Sequence, residues 1–259
     1  MNAQKSIAAG RNFAPAELVL VRHGQSVGNV ADAAAREQGL SRLELTTRDA
    51  DTPLSPTGQE QAEVLGRHLG DLTAQQRPQV VLASPYERAA HTARLATAGL
   101  RDVPLVMDER LRERDLGAFD GMTGTGIRAE FPEEARRRAA VGKFYYRPPG
   151  GESWTDVALR VRSVLGDIRQ EYDGERVWVF THQAVIMSFR LVVEGLDERR
   201  LLEIDSTEPL GNCSLTRYRR RGEGALELVS YAATDHLEAS SAETTHEEPH
   251  APLGGEPHD

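Results

Sequence analysis

Leu18-Val19-Leu20-Val21 runs without a break into Arg22-His23-Gly24. A short, wholly apolar run with no polar alternation is what a strand buried on both faces looks like. A polar triplet at its carboxyl end lies where open α/β sheets bind their ligands. The arrangement recurs twice: Val80 to Ala83 leads into Ser84-Pro85-Tyr86-Glu87-Arg88, and Val177 to Thr181 into His182-Gln183. Val103 to Met107 reads as a fourth buried strand and precedes Leu111-Arg112-Glu113-Arg114-Asp115-Leu116-Gly117.

Helical patterns alternate with these strands. Ser55-Pro56 suits an N-cap and first helical position, and Ala62, Leu65, Leu69 and Leu72 then share a face. Ser84, Pro85 and Glu87 read as a capping box, as do Ser153 and Asp156 ahead of the stripe Val157, Val161, Val164, Leu165 and Ile168. Val185, Ile186, Phe189 and Val193 mark a fourth helix. Ser214 to Tyr218 and Leu226 to Tyr231, around Arg221-Gly222-Glu223-Gly224, suggest a late hairpin. The pattern predicts an α/β chain: a three-layer α/β/α sandwich with a mostly parallel central sheet.

Three segments are expected: an extension over 1–15, a catalytic domain over 16–233, and an acidic, disordered tail over 234–259. The chain has 259 residues and a net charge of -9, and from Asp235 onward there are seven acids and no Lys or Arg. The body is therefore close to neutral and offers no electrostatic footprint for nucleic acid. The tail's His236, His246, His250 and His258 lack the fixed geometry of a metal site. No apolar run approaches the roughly 18 residues of a membrane span, and no secretory segment opens the chain, so a cytoplasmic protein is expected. The single cysteine, Cys213, excludes an internal disulfide and reads as a small core residue.

If the strand ends converge, two imidazoles and two guanidinium groups meet. That set suits a phosphate dianion, because Arg22 and Arg88 offer planar forks of donors that stay charged. A neutral imidazole attacks phosphorus directly, and His23 is placed to do so, with Gly24 permitting close backbone approach. Phosphoryl transfer needs alignment and charge neutralisation, which a cationic pocket supplies without a metal or cofactor. The leaving oxygen needs a proton, and on chemistry alone Glu113 or Asp115 could give it.

At this point the chain resembles the histidine phosphatase superfamily, in the branch of cofactor-dependent phosphoglycerate mutases and related phosphatases, over roughly residues 17 to 220. Arg22-His23-Gly24-Gln25-Ser26 with Asn29 resembles the family's opening motif, where the histidine is phosphorylated and the arginine and asparagine help hold the phosphate. Leu54, Gly58, Gln61 and Ala62 resemble its first helix, and Ser84-Pro85-x-x-Arg88-Ala89-x-x-Thr92-Ala93 the segment with the second phosphate-binding arginine. Leu111-x-Glu113 with Gly117 resembles the proton-donor segment, which favours Glu113, and His182 matches the second histidine. The resemblance implies a phosphoglycerate mutase-like fold and a phosphohistidine phosphatase acting on a small phosphorylated metabolite, with a homodimer left open and no membrane partner. A mutase, or a module that keeps the fold and only binds phospholigands, is the alternative.

Phe131-Pro132-Glu133-Glu134, Gly151-Glu152-Ser153 and His182-Gln183-Ala184-Val185 are similar to the phosphatase half of the enzyme that hydrolyses fructose 2,6-bisphosphate. By that resemblance Arg138, Lys143 and Gln183 join Gly24, Ser26 and Asn29 as substrate-binding residues. Gly124 and Met187 stand where that family has Tyr and Arg, so fructose 2,6-bisphosphate itself is not the expected substrate. The mixed segment from Gly117 to Gly151 is expected to cap the site, with Phe119, Phe144, Tyr145, Tyr146 and Arg147 on the substrate side.

Overall fold

The computed structural model describes residues 13–247. In chain order the elements are β1 (Glu17–Arg22), α1 (Val27–Glu37), α2 (Pro56–Asp71), β2 (Val80–Ala83), α3 (Glu87–Thr97), β3 (Leu105–Met107), α4 (Gly124–Glu130) and α5 (Pro132–Val141). There follow α6 (Trp154–Glu171), β4 (Arg176–Thr181), α7 (Gln183–Glu194), α8 (Glu198–Thr207), β5 (Leu215–Arg221), β6 (Ala225–Ala233) and the short α9 (Asp235–Glu238). One six-stranded sheet has the order β3-β2-β4-β1-β5-β6. Its first four strands are parallel, and β5 and β6 close one side antiparallel.

Strand parity sets the three layers. Leu18 and Leu20 of β1, Val80 and Leu82 of β2, and Val177 and Val179 of β4 pack on the α6 stripe Val157, Val161, Val164, Leu165 and Ile168 and on Val185, Ile186 and Phe189 of α7. Their neighbours Val19, Val21, Val81, Ala83, Trp178 and Phe180 point the other way, onto Leu65 and Leu69 of α2 and Ala93 and Ala96 of α3. Burial of both faces is why these strands lack polar alternation. The parallel register brings Arg22 level with Thr181, and Ala83 level with Phe180. Residues 23, 84 and 182, next along each strand, therefore emerge together at one edge of the sheet.

Four expectations change. The stretch Val103 to Met107 is strand only from Leu105, and β3 is an edge strand with Val106 and Met107 exposed rather than buried. Ser84 does not cap α3: Tyr86 holds the N-cap position without a side-chain hydrogen bond, and Ser84 Oγ accepts the Tyr86 N–H ahead of the helix. Ala14 is buried and donates its N–H to Asp173 Oδ1 at 3.0 Å, so the body begins before residue 16.

The fourth concerns the tail. Residues 234–247 are ordered: Leu237 is fully buried with Leu54, Ala62, Val64 and Cys213, and His236 packs on His68 of α2. Acidic composition hid one apolar anchor and a set of specific hydrogen bonds. Residues 1–12 and 248–259, including His250 and His258, for which an extension and a disordered tail are expected, lie outside the described residues.

Candidate active site

His23 is buried just past β1, and its ring is fixed from both sides. Nδ1 lies 2.7 Å from the carbonyl oxygen of Gly24. A carbonyl only accepts, so Nδ1 carries the proton and Nε2 holds the lone pair. Arg88 Nε donates to that Nε2 at 3.3 Å. Burial, then Arg88, then Arg22 hold the imidazole well below its ordinary pKa. A charge about 4 Å from a guanidinium, at an effective dielectric near 20, is repelled by roughly 4 kcal/mol, so protonation there is opposed. The neutral ring presents Nε2 as a nucleophile.

Gly24 serves the backbone. Its N–H donates to Thr92 Oγ1 at 3.0 Å, and a Cβ there would lie 2.5 Å from the carbonyl oxygen of Gly58. Gly24 does not line the cavity, and the close approach it permits here is that of α2. Ser26 and Asn29 form a reciprocal cap on α1, with Ser26 Oγ accepting from Asn29 N at 3.0 Å and Asn29 Oδ1 from Ser26 N at 2.8 Å. The Asn29 amide nitrogen stays turned toward the site.

His182 lies behind the pocket, fully buried, with its ring edge-on to His23 at 5.1 Å between centroids. Its Nε2 meets Ser84 Oγ at 2.8 Å, and Ser84 Oγ also accepts the Tyr86 N–H at 3.2 Å. His182 Nδ1 is buried and has no hydrogen-bond partner among the described residues. Burial, followed by Arg88 and His23, keeps this imidazole neutral as well.

Glu113 sits in the loop after β3, between the sheet edge and the start of α7. Its Oε1 accepts from Arg114 N at 2.7 Å and its Oε2 from Ala184 N at 3.4 Å, and burial raises its pKa above the ordinary carboxylic range. Arg160 clamps this loop by donating to the carbonyl oxygens of Arg110 at 2.7 Å and Glu113 at 3.2 Å while paired with Glu152 at 3.0 Å. That gives Glu152 a supporting role behind the carboxyl. Asp115 is exposed and caps its own turn through Gly117 N at 2.7 Å, so geometry and resemblance agree on Glu113.

Arg22, His23, Ser26, Asn29, Arg88, Glu113, Arg138, Lys143 and Gln183 all line one cavity of about 890 Å³. Arg88 is paired across it with Asp49, at 2.9 Å to Oδ1. Lys143 Nζ is 2.7 Å from Asp205 Oδ2, and Gln183 Nε2 is 3.1 Å from Asp205 Oδ1. Arg138 and Arg114 form no ion pair with a carboxylate among the described residues. Burial and then the charge of Arg114 lower Arg138 to about 10. Phe119 reaches the cavity, whereas Phe144 and Tyr146 pack in small cores, Tyr145 is exposed and Arg147 pairs with Asp156, so those four do not line it.

Sequence reading missed Asp49, Arg114, Asp205, Asn212 and Glu247. The neighbour of Glu113 was the visible signal for Arg114. Asn212 donates to the His23 carbonyl at 3.1 Å from a loop with no motif of its own.

The profile described as histidine phosphatase superfamily (branch 1) matches residues 18–234. A 2,3-bisphosphoglycerate-dependent phosphoglycerate mutase of Gloeobacter violaceus is 32% identical over 219 residues, covering 82% of this chain and 89% of that one. Phosphoserine phosphatase 1 of Hydrogenobacter thermophilus is 29% identical over 182 residues, covering 70% and 77%. Among solved structures, a mycobacterial glucosyl-3-phosphoglycerate phosphatase bound to VO3 aligns with TM-score 0.66 at 26% identity, covering 84% of this chain and 99% of that one. Bacillus stearothermophilus YhfR aligns with TM-score 0.68 at 26% identity, covering 86% and 100%. With a neutral, oriented histidine beside two arginines at the strand ends, and a family match that spans residues 18–234, the chain belongs to branch 1 of the histidine phosphatase superfamily.

Proposed function

We propose that the chain is a phosphomonoesterase that acts on a small phosphorylated metabolite through a phosphohistidine on His23, without a metal. The observation that carries this reading is the tautomer of His23: Nδ1 is committed to Gly24, so Nε2 holds the attacking lone pair, which accepts from Arg88 Nε at 3.3 Å. Arg22, Arg88 and His182 hold the phosphate. His23 Nε2 forms a bond to phosphorus as the bond to the ester oxygen breaks, and Glu113 gives that oxygen its proton. The Glu113 carboxylate then takes a proton from water, the water oxygen bonds to phosphorus, the nitrogen–phosphorus bond breaks and phosphate leaves. The guanidinium groups supply the charge neutralisation that a divalent ion gives elsewhere.

Turnover of a generic aryl phosphate tests the reading. His23→Ala is expected to lose at least about four orders of magnitude in kcat, and EDTA to leave the wild-type rate unchanged. A His23→Ala protein of full activity, or a chelator effect reversed by a divalent ion, would refute it.

A mutase reading draws support from one feature: Arg114 and Arg138, without carboxylate partners among the described residues, suit a second anionic group on the substrate, as a mutase also needs. Incubation with 3-phosphoglycerate separates the two. Phosphate release faster than interconversion supports the phosphatase.

A further inference from the structure

The last described residues enter the site. Thr245 Oγ1 donates to Asn212 Oδ1 at 2.9 Å, and the Thr245 carbonyl accepts the Asn212 N–H at 2.8 Å. Gln61 of α2 donates to the Glu243 carbonyl at 2.8 Å and to Thr245 Oγ1 at 2.9 Å. Two residues beyond this anchor, the Glu247 carboxylate lines the catalytic cavity, 3.1 Å from Arg22 Nη2 and bonded to the amide nitrogen of Asn29. Arg22 and Asn29 are the two groups that the opening motif directs at phosphate. A carboxylate and a phosphate present the same oxygen acceptors to a guanidinium fork, so the two cannot occupy that fork together.

We infer that residues 243–247 form an intramolecular strap whose Glu247 carboxylate sits in the phosphate subsite and competes with phosphate for Arg22 and Asn29. This rests on the phosphatase reading of that subsite. The strap's partners in the anchor, Gln61 and Asn212, belong to the body, so the carboxylate is held close to the fork at a high effective concentration. Substrate must displace it, and inhibition by product phosphate is weakened to the same degree. The device raises the substrate concentration at which the enzyme begins to work while leaving the bound complex unaltered.

The test pairs calorimetry of inorganic phosphate binding with steady-state hydrolysis of an aryl phosphate, on the full-length wild type, Glu247→Ala and Thr245→Val. Glu247→Ala is expected to lower both the phosphate Kd and KM by about tenfold, as removal of a tethered competitor at millimolar effective concentration implies, with kcat within about twofold. Thr245→Val, which keeps the carboxylate and loosens its anchor, is expected to shift both the same way by about threefold. Phosphate binding that is unchanged or weaker in Glu247→Ala overturns the strap. Tighter phosphate binding without turnover in any of the proteins leaves the strap standing and removes the phosphatase reading. Neither binding nor turnover in any of them removes both.

Discussion

At the strand ends His23 Nδ1 is locked to Gly24 and Arg88 Nε reaches Nε2, while toward the cap the same cavity holds Arg114 and Arg138 without a carboxylate partner among the described residues. The phosphate end hangs from β1, β2 and β4, elements buried on both faces, so its side chains are positioned by a rigid sheet. The cap end hangs from loops and the short helices α4 and α5, and while Lys143 is paired with Asp205, its Arg114 and Arg138 have no carboxylate partner among the described residues. The contrast separates chemistry from selectivity: one end is preorganised for a phosphoryl group, and the other is charged for whatever that group is attached to.

The largest effect that sharpens this contrast is expected at Glu113. Glu113→Gln is expected to slow phosphorylation of His23 by about two to three orders of magnitude with an alkyl phosphate and far less with an aryl phosphate, whose leaving group needs no proton, while hydrolysis of the phosphohistidine, which uses the same carboxylate as base, slows equally for both. Its raised pKa keeps the acid form present at higher pH than for an ordinary carboxyl. As pH rises through that value the acid is lost, so kcat/KM for a fully dianionic substrate is expected to fall on the alkaline side, and Glu113→Gln to flatten that limb. An unchanged limb in the variant would assign it to another group.

Ser84→Ala comes next. Ser84 acts through His182 and is a positioning residue: its loss is expected to reduce kcat about tenfold and to move the His182 ring nitrogens toward a mixture of tautomers in 15N NMR. A rate loss with the tautomer unmoved would mean that Ser84 does something else. The smallest effect, and the one that isolates the cap end, is Arg138→Ala. KM is expected to rise about tenfold for a phosphorylated carboxylic acid and to stay level for an aryl phosphate. Equal effects on both would erase the distinction between the two ends.

The sequence made the sheet and the phosphate end readable because both depend on short, dense signals: apolar runs that end in Arg-His-Gly, Ser-Pro-x-x-Arg and His-Gln. Ser84 was read as a helix cap because a Ser-Pro step before a helix has that local meaning, and its bond to His182 spans 98 residues. Helix α1 is hard to read because its residues are mostly small or polar and only Ala35 of them is buried. The tail was read as disordered because its acids outweigh one buried leucine, and the contacts of Glu243, Thr245 and Glu247 are with residues that are distant in sequence. Arg138 and Lys143 rest on the resemblance to the fructose 2,6-bisphosphate-hydrolysing enzyme, counted from Glu113 and Glu152, and Asp205, which holds Lys143 and Gln183, has no local mark.

The central claim is that His23 Nε2 carries the phosphoryl group, and rapid quench of the wild type with a 32P-labelled phosphomonoester followed by peptide mapping tests it most directly. An acid-labile, base-stable label on the peptide containing His23, formed at least as fast as steady-state turnover, is the expected result. Turnover with no protein-bound label, or a label on the peptide containing His182, would contradict it.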